Sequence, residues 1–245
     1  MKKQYSYRDS HKYAGKGTEY ESYYEKQSWQ RFLWSRERRI ILRILEKYYT
    51  GRDIHLLDFA CGTGRITHLL EQRVKTSTGV DVSGSMLAIA REKLKRTELI
   101  EADITNNNIL EGRKFNLITA FRFFVNAEPE LRTAAIKSLT KFLSEDGYFV
   151  FNNHQSYESP WNKILHKRHE RKNPDGIFNV MTIDEMERLV EGAGMEIVEI
   201  YPVGFFHPPK IAVPQILTKT IENICCKFKG LTRLSESPIA VCKRI

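Results

Sequence analysis

Residues 57–67 of this 245-residue chain read LDFACGTGRIT, and this segment decides the fold class. It joins an apolar strand that begins at His55 to a helix that runs to about Arg73. Glycines in such a loop let a ligand approach the backbone closely, and the helix N-terminus favours anionic groups. Thr67 stands where the dinucleotide-binding pattern has its third glycine. The loop therefore predicts a ligand site of another kind at the end of the first strand.

Around this loop, short apolar segments alternate with helical segments along most of the chain. That alternation predicts an α/β fold, with a Rossmann-like, doubly wound and mostly parallel sheet. Ser83 and Thr182 are expected to cap helices, and Pro129 is expected to open one. The predicted strands are residues 55–60, 76–82, 99–104, 115–121, 147–152, 195–203 and 238–243.

Two acids end the next two predicted strands. Asp81 ends the second strand, where a carboxylate can accept both hydroxyls of a ribose. Asp103 ends the third, where an acid can accept an adenine amino hydrogen, with Ile104 beside the ring. The positions of these two acids thus predict that the ligand of the glycine loop contains a nucleoside.

The order of glycine loop, two strand-ending acids and apolar fourth strand resembles the class I S-adenosylmethionine-dependent methyltransferases, over roughly residues 50–152. The resemblance implies a seven-stranded sheet whose last strand, 238–243, is antiparallel. It also implies S-adenosylmethionine as cofactor and S-adenosylhomocysteine as product. Ala60 stands where the family often has glycine, and alanine is a tolerated variant there.

The same resemblance assigns cofactor contacts residue by residue. Gly62 and Gly64 would face the methionyl part, with Asp58 near its amino group. Phe121 would line the pocket near the sulfonium. The full set of expected cofactor-binding residues is Asp58, Ala60, Cys61, Gly62, Gly64, Asp81, Val82, Met86, Asp103, Ile104 and Phe121.

Catalytic candidates follow the fourth, fifth and sixth strands. Methyl transfer needs positioning, and a hydroxyl acceptor also needs its proton removed. His154 is the first candidate base, because the usual pKa of histidine suits pH 7, and His207 is the second. Arg122 and Asn126 would orient the acceptor or its anionic group. No metal site is expected, because the cysteines and histidines lack metal-ligand spacing.

Composition places the chain among ordinary globular proteins, with 41% hydrophobic and 28% charged residues. No apolar run approaches the ~20 residues of a transmembrane helix. The N-terminus shows no apolar signal region, so a cytoplasmic protein with reduced cysteines is expected.

The net charge of +9 lies in the flanks of the chain. Residues 1–50 hold 12 basic and 6 acidic side chains, whereas residues 51–160 are balanced. The first 50 residues also hold 11 of the 27 aromatic residues, and disordered tails are poor in these. We therefore expect residues 1–50 to form a helical lid on a methyltransferase domain of residues 51–245, with Tyr13, Tyr20, Trp29 or Trp34 against the cofactor.

Two inserts follow strands five and six, at about residues 155–181 and 204–236. Ligands lie beyond the carboxyl ends of strands in such sheets, so both inserts are expected to contact substrate. The basic stretch 163–172 would either grip an anion or form a solvated helix face. The amphipathic stretch 211–231 would either cover the pocket or touch a membrane surface.

These features favour methyl transfer to an oxygen or nitrogen of a small molecule. In one version of this hypothesis the small molecule is anionic. The acceptor classes are a secondary metabolite, a sugar, or a lipid- or nucleotide-linked intermediate. DNA is not expected, because residues 121–124 read FRFF and lack an Asp/Asn-Pro-Pro-Tyr-like motif. An RNA methyltransferase is the alternative that the basic flanks support, although no RNA-binding module accompanies them. The third hypothesis is a non-catalytic cofactor-binding partner protein, and a homodimer is compatible with each.

Overall fold

The computed structural model describes residues 7, 15–106, 109–172, 179–205 and 215–245. Its helices are α1 (Lys16–Lys26), α2 (Ser28–Tyr49), α3 (Arg65–Leu70), α4 (Gly84–Lys93), α5 (Pro129–Phe142), α6 (Pro160–Lys172), α7 (Ile183–Glu191) and α8 (Gln215–Cys225), with a 3-10 helix at Lys229–Leu234. Its strands are β1 (His55–Phe59), β2 (Thr76–Asp81), β3 (Glu98–Glu101), β4 (Phe115–Ala120), β5 (Leu143–Asn152), β6 (Met195–Tyr201) and β7 (Ile239–Arg244).

The seven strands form one sheet in the order β3-β2-β1-β4-β5-β7-β6. Strands β1 to β5 are parallel, and β7 runs antiparallel to both of its neighbours. This arrangement confirms the predicted Rossmann-like sheet with its reversed last strand. Strand β1 pairs with β2 on one side and with β4 on the other, so the strand order reverses at β1. Ligands of open α/β sheets bind at the carboxyl ends of strands at such a switch point.

Helices cover both faces of the sheet, and alternate strand residues enter opposite cores. On β1, Leu57 and Phe59 pack in the core that contains the apolar faces of α5 and α7. Leu56 packs in the other core, against α2 and α3. Because both faces are covered, the strand ends are held rigidly.

The predicted lid of residues 1–50 divides into two parts with different environments. Helix α2 is one layer of the fold, since Leu33, Ile41 and Ile44 are each at most 2% exposed. They pack against the sheet in the same core as Leu56. Among the described residues, Tyr7 and helix α1 agree with the predicted lid, because Tyr7 and Tyr20 of α1 line the cavity described below.

Two strand boundaries differ from the prediction by three residues or more. Strand β3 ends at Glu101, so Asp103 lies two residues beyond it and does not end it. The Asp103 carboxylate accepts hydrogen bonds from the Thr105 N–H (3.0 Å) and from Asn106 Nδ2 (2.8 Å), which favours a turn there. Strand β5 begins at Leu143, directly after α5, whereas the prediction began it four residues later.

The predicted helix starts are confirmed. Ser83 Oγ accepts a hydrogen bond from the Met86 N–H at the start of α4. Thr182 and Glu185 form a reciprocal capping box at α7, and Pro129 is the first residue of α5. Ser83 and Thr182 therefore supply partners for free backbone N–H groups, whereas Pro129 has no N–H that would need one.

The insert after β5 contains α6, and the insert after β6 contains α8. In α6 the side chains of Lys163, Lys167 and Arg168 are exposed, which agrees with a solvated helix face. None of the described helices is both long and apolar enough to cross a bilayer. All four cysteines are free thiols.

Candidate active site

The two loop glycines serve different purposes. Both have positive φ, 57° at Gly62 and 76° at Gly64. A Cβ on Gly62 would meet only Met86 Sδ, at 3.9 Å, so this glycine leaves space beside the loop. A Cβ on Gly64 would lie 2.9 Å from Leu94 Cδ1 and 3.2 Å from Ala90 Cβ. Gly64 therefore permits α3 to pack near α4, and its predicted contact with a ligand stays a prediction.

Asp58 holds the loop in place from the end of β1. Its Oδ2 accepts the Thr67 N–H (3.1 Å) and hydroxyl (2.5 Å), and its Oδ1 accepts the Thr119 hydroxyl (2.7 Å). Burial raises the pKa of this carboxyl to about 6. The side chain thus ties β1 to the first turn of α3 and to β4.

Asp81 at the end of β2 faces the loop. Its Oδ2 accepts the Gly62 N–H and its Oδ1 accepts the Ser83 N–H, each at 2.8 Å. Burial raises the pKa of the Asp81 carboxyl above its usual range. Each oxygen keeps a second acceptor position, so the carboxylate fits the predicted contact with ribose hydroxyls.

A cavity of about 300 Å³ lies at the carboxyl ends of β1, β4 and β5. Its glycine-loop wall is formed by Ala60, Cys61, Gly62, Asp81 and Met86. Its arginine wall is formed by Arg122, Asn126, His154 and Gln155, next to Phe121. Among the described residues, the non-glycine residues with positive φ are Ala60, Arg122 and Gln155, and all three line this cavity. Such backbone strain concentrates at functional sites.

A smaller, mostly apolar slot adjoins the cavity. It shares Tyr7, Ala60 and Asp81 with the cavity and adds Val82 and Asp103. An apolar slot with an acid at its edge fits the predicted adenine contact. Ile104 follows Asp103, and its side chain packs in the core and lines neither space, so its contact with the adenine stays a prediction.

Arg122 is fixed by a buried network that joins α2, β4 and β5. Its N–H donates to Asn152 Oδ1 (2.7 Å), and its guanidinium donates to Gln30 Oε1 (3.3 Å). A second guanidinium nitrogen lies 3.8 Å from the carboxylate of Glu37, which is fully buried. Asn152 Nδ2 donates to the same carboxylate (3.2 Å), so one network holds both backbone and side chain.

The cavity is polarised between its walls. Arg65 also lies 3.8 Å from Glu37, so two guanidinium groups surround one buried carboxylate. The acids Asp58 and Asp81 lie on the opposite side of the cavity. The arginine wall therefore presents positive potential, which suits an anionic group on a bound molecule.

His154 is 7% exposed and lies against Arg122, with 3.3 Å between Nε2 and the guanidinium. A guanidinium can only donate, so Nε2 accepts and the ring proton lies on Nδ1. Among the described residues, this Nδ1 has no hydrogen-bond partner. Burial, and then the charges of Arg122 and Arg65, hold the pKa of His154 well below 6.5. The imidazole is consequently a weak base at pH 7, which corrects the premise of the general-base prediction.

Of the two remaining candidates, Asn126 and His207, the structure describes the first. Asn126 lines the cavity, and its Nδ2 donates to the Arg122 carbonyl (2.6 Å). His207 lies outside the described residues.

Comparisons with known proteins agree with this geometry. A family model described as a methyltransferase domain matches residues 56–147. A protein of Geobacillus sp. (strain WCH70) that is named as a methyltransferase is 32% identical over 136 residues, which are 54% of this chain and 51% of that protein. The ubiquinone/menaquinone biosynthesis C-methyltransferase of Campylobacter jejuni is 28% identical over 109 residues, which are 42% and 45% of the two chains.

The matched residues contain the glycine loop, Asp81 and the fourth strand. Residues 56–147 match a methyltransferase domain, which supports the predicted resemblance to the class I S-adenosylmethionine-dependent methyltransferases. It spans about half the length of the curated relatives it matches.

Solved methyltransferase structures share the whole fold. Magnesium protoporphyrin IX methyltransferase of Synechocystis PCC 6803, crystallised with bound S-adenosylhomocysteine, superimposes with a TM-score of 0.66 over 97% of each chain. Its sequence identity is 13%, so this likeness concerns the fold alone.

Helix α1 lies over the glycine loop. Tyr20 and Glu19 line the cavity. Glu21 accepts a hydrogen bond from the Thr63 hydroxyl and pairs with Lys93 of α4 (2.7 Å). These contacts place the predicted lid beside the glycine-loop wall.

The aromatic residues proposed for the lid separate into different places. Trp29 is buried and its Nε1 donates to Glu236 (3.1 Å), and Trp34 lies under the Arg65 guanidinium. Tyr13 lies outside the described residues. Of these residues, Tyr20 alone is known to line the cavity.

The sequence pattern did not lead us to Glu37, which organises the arginine wall. Its signal is present, because Leu33, Glu37, Ile41 and Ile44 follow helical spacing and a single acid interrupts the apolar face. A charged residue at a core position implies a buried partner. The partner is not identifiable from sequence, since Arg122 lies 85 positions away.

Proposed function

We propose that the protein transfers a methyl group from S-adenosylmethionine to an oxygen or nitrogen of a small molecule that carries an anionic group. One observation carries this proposal: a single cavity joins the glycine-loop wall to the arginine wall. The first wall has the donors and acceptors that a nucleoside-bearing cofactor needs. The second has a buried cation and polar groups with no role in that contact.

The residues of the glycine-loop wall would hold the cofactor. Asp81 would accept the ribose hydroxyls, and Gly62 would let the methionyl part approach the backbone. Val82 and Asp103 would border the adenine in the apolar slot. When bound, the cofactor supplies a methyl group that is already activated by its positively charged sulfur.

The arginine wall would position the acceptor. Arg122 would bind the anionic group, and His154 would donate a hydrogen bond from Nδ1. The buried Phe121 would help to exclude water where the two walls meet. Positioning of this kind is the main contribution of the protein to a displacement at an activated carbon.

Thermal melting with S-adenosylhomocysteine tests the cofactor half of the proposal. Ligand at about 100 times its Kd should stabilise the fold by roughly 2.7 kcal/mol. We expect this shift in the wild type and in the control Asp53→Asn, which changes an exposed acid, and its loss in Asp81→Asn. No shift in the wild type would contradict cofactor binding.

Transfer of labelled methyl groups tests the acceptor half. A panel of hydroxylated and aminated small molecules, with and without a carboxylate or phosphate, should show transfer to anionic members. Transfer to bulk RNA and to no member of the panel would overturn the proposal and favour an RNA methyltransferase. Binding of S-adenosylhomocysteine with no transfer to either would favour a non-catalytic protein.

A further inference from the structure

Helix α8 packs on the protein through a polar residue. Glu222 is fully buried, and its carboxylate accepts the N–H groups of Gly204 (2.7 Å) and Phe205 (2.9 Å). In a helix that only covers a core, the apolar residues would face inward. Here a charged residue anchors the inner side.

The outer side of the same segment is apolar. Leu217 and Ile224 are each 51% exposed, and Phe228, just past the helix, is 58% exposed. Leu217, the half-buried Ile221 and Ile224 are spaced by four and three residues, which places them along one face of α8, and Phe228 follows four residues later, beyond the end of the helix. We call Leu217, Ile221, Ile224 and Phe228 the exposed stripe. A row of large apolar side chains in water marks an interaction surface.

The charge around the exposed stripe is basic. Residues 215–230 contain three lysines and one acid, and that acid is the buried Glu222; Arg233, further along the chain, is paired with Glu158 and Asp184. Lys227, which is exposed, lies between two members of the stripe in sequence. A second copy of the chain would bring like charges together, whereas an anionic lipid surface complements both the apolar stripe and its basic flank.

We propose that the exposed stripe binds the surface of a membrane that contains anionic lipids. The side chains of the stripe would enter the boundary between headgroups and acyl chains, and Lys227 would lie among the headgroups. The insert that carries the stripe also reaches the active site, because the Glu236 carbonyl accepts the Ser156 N–H (2.9 Å), next to Gln155 of the arginine wall. Binding would therefore hold the acceptor side of the cavity near the lipid surface.

Co-sedimentation with vesicles tests this proposal. The wild type should bind vesicles of phosphatidylcholine mixed with phosphatidylglycerol, bind phosphatidylcholine alone weakly, and lose binding in high salt. Ile224→Asp and Phe228→Asp should each lower the partition coefficient about tenfold or more. Val198→Asp, at an exposed apolar position on β6, should leave it unchanged.

Absence of wild-type binding to anionic vesicles would overturn the proposal, as would equal loss in the Val198→Asp control. A dimer in light scattering that both stripe variants dissociate would also overturn it, in favour of a second copy as occupant. The S-adenosylhomocysteine shift is measured on every variant. Its retention shows intact folding and separates failure of this surface from failure of the proposed activity.

Discussion

The two walls of the cavity differ in how far apart in the sequence their supporting residues lie. On the glycine-loop wall, Asp81 binds the backbone of Gly62 and Ser83, and Asp58 binds Thr67 nine residues away, with Thr119 of β4 as a distant partner. The arginine wall depends on partners from α2, β5 and the segment before β7. The difference teaches that a wall built on local backbone contacts can be inferred from a motif, whereas a wall built on distant side chains must be seen in the fold.

The largest expected effect is a loss of stability when the network behind the arginine wall is broken. Glu37→Gln removes the negative charge that lies 3.8 Å from both Arg65 and Arg122 in a buried site. Loss of one partner of a buried ion pair costs about 3 kcal/mol or more of unfolding free energy. Urea denaturation measures this, with Glu46→Gln on the exposed side of α2 as the matched control. Equal stabilities of the two variants would show that the network is not a support.

A smaller effect on unfolding free energy should distinguish the two glycines of the loop. Gly64→Ala should lower unfolding free energy by about 2 kcal/mol, because strain at positive φ adds to a close approach to Leu94. Gly62→Ala should cost about 1 kcal/mol, since its methyl group has space near Met86.

Ligand affinity should rank the same two variants in the reverse order. The new methyl group of Gly62→Ala projects beside the cavity, whereas that of Gly64→Ala points into helix packing. We expect calorimetric titration with S-adenosylhomocysteine to show the larger loss in Gly62→Ala. The opposite order would contradict the separation of loop space from helix packing.

His154 and Asp58 should also change the stability in opposite directions as the pH falls. Folded His154 has a pKa well below 6.5, so below pH 6.5 the unfolded chain binds the extra proton and stability falls as pH falls. Folded Asp58 has a pKa of about 6 against 3.8 for the ordinary group. Between those values the folded chain binds the extra proton, so stability rises as pH falls. Each group contributes about 1.4 kcal/mol per pH unit within its window.

Variants at the two sites should therefore change the pH dependence of stability with opposite signs between pH 6 and pH 4. Asp58→Asn should steepen the loss of stability toward low pH, because the opposing contribution disappears. His154→Gln should reduce that loss. Urea midpoints across this pH range measure both, and changes of the same sign would contradict the assignment.

Much of the fold follows from the sequence because its signals are local. The alternation of strands and helices, the caps at Ser83 and Thr182 and the reversed last strand are all confirmed. The boundary of β3 was wrong because Asp103 bonds its own turn, which competes with continued strand pairing. Propensity alone does not resolve that competition.

The candidate site was inferred less completely. Gly64 and Ile104 match the family motif, yet their surroundings in the structure are helix packing and core. The weak basicity of His154 results from burial beside Arg122, and burial depends on the tertiary structure. The sequence predicts that His154 lies at this edge of the sheet, but the pKa of its side chain depends on the fold.

The central claim is that one cavity has a cofactor wall and a separate acceptor wall. Calorimetric titration of S-adenosylhomocysteine into Asp81→Asn and Arg122→Lys tests it most directly. Lysine keeps the charge beside Glu37 but loses the two-pronged contact of the guanidinium. We predict that Asp81→Asn loses affinity at least tenfold, and that Arg122→Lys stays within about threefold of the wild type. An equal loss in Arg122→Lys would place this arginine on the cofactor and contradict the account.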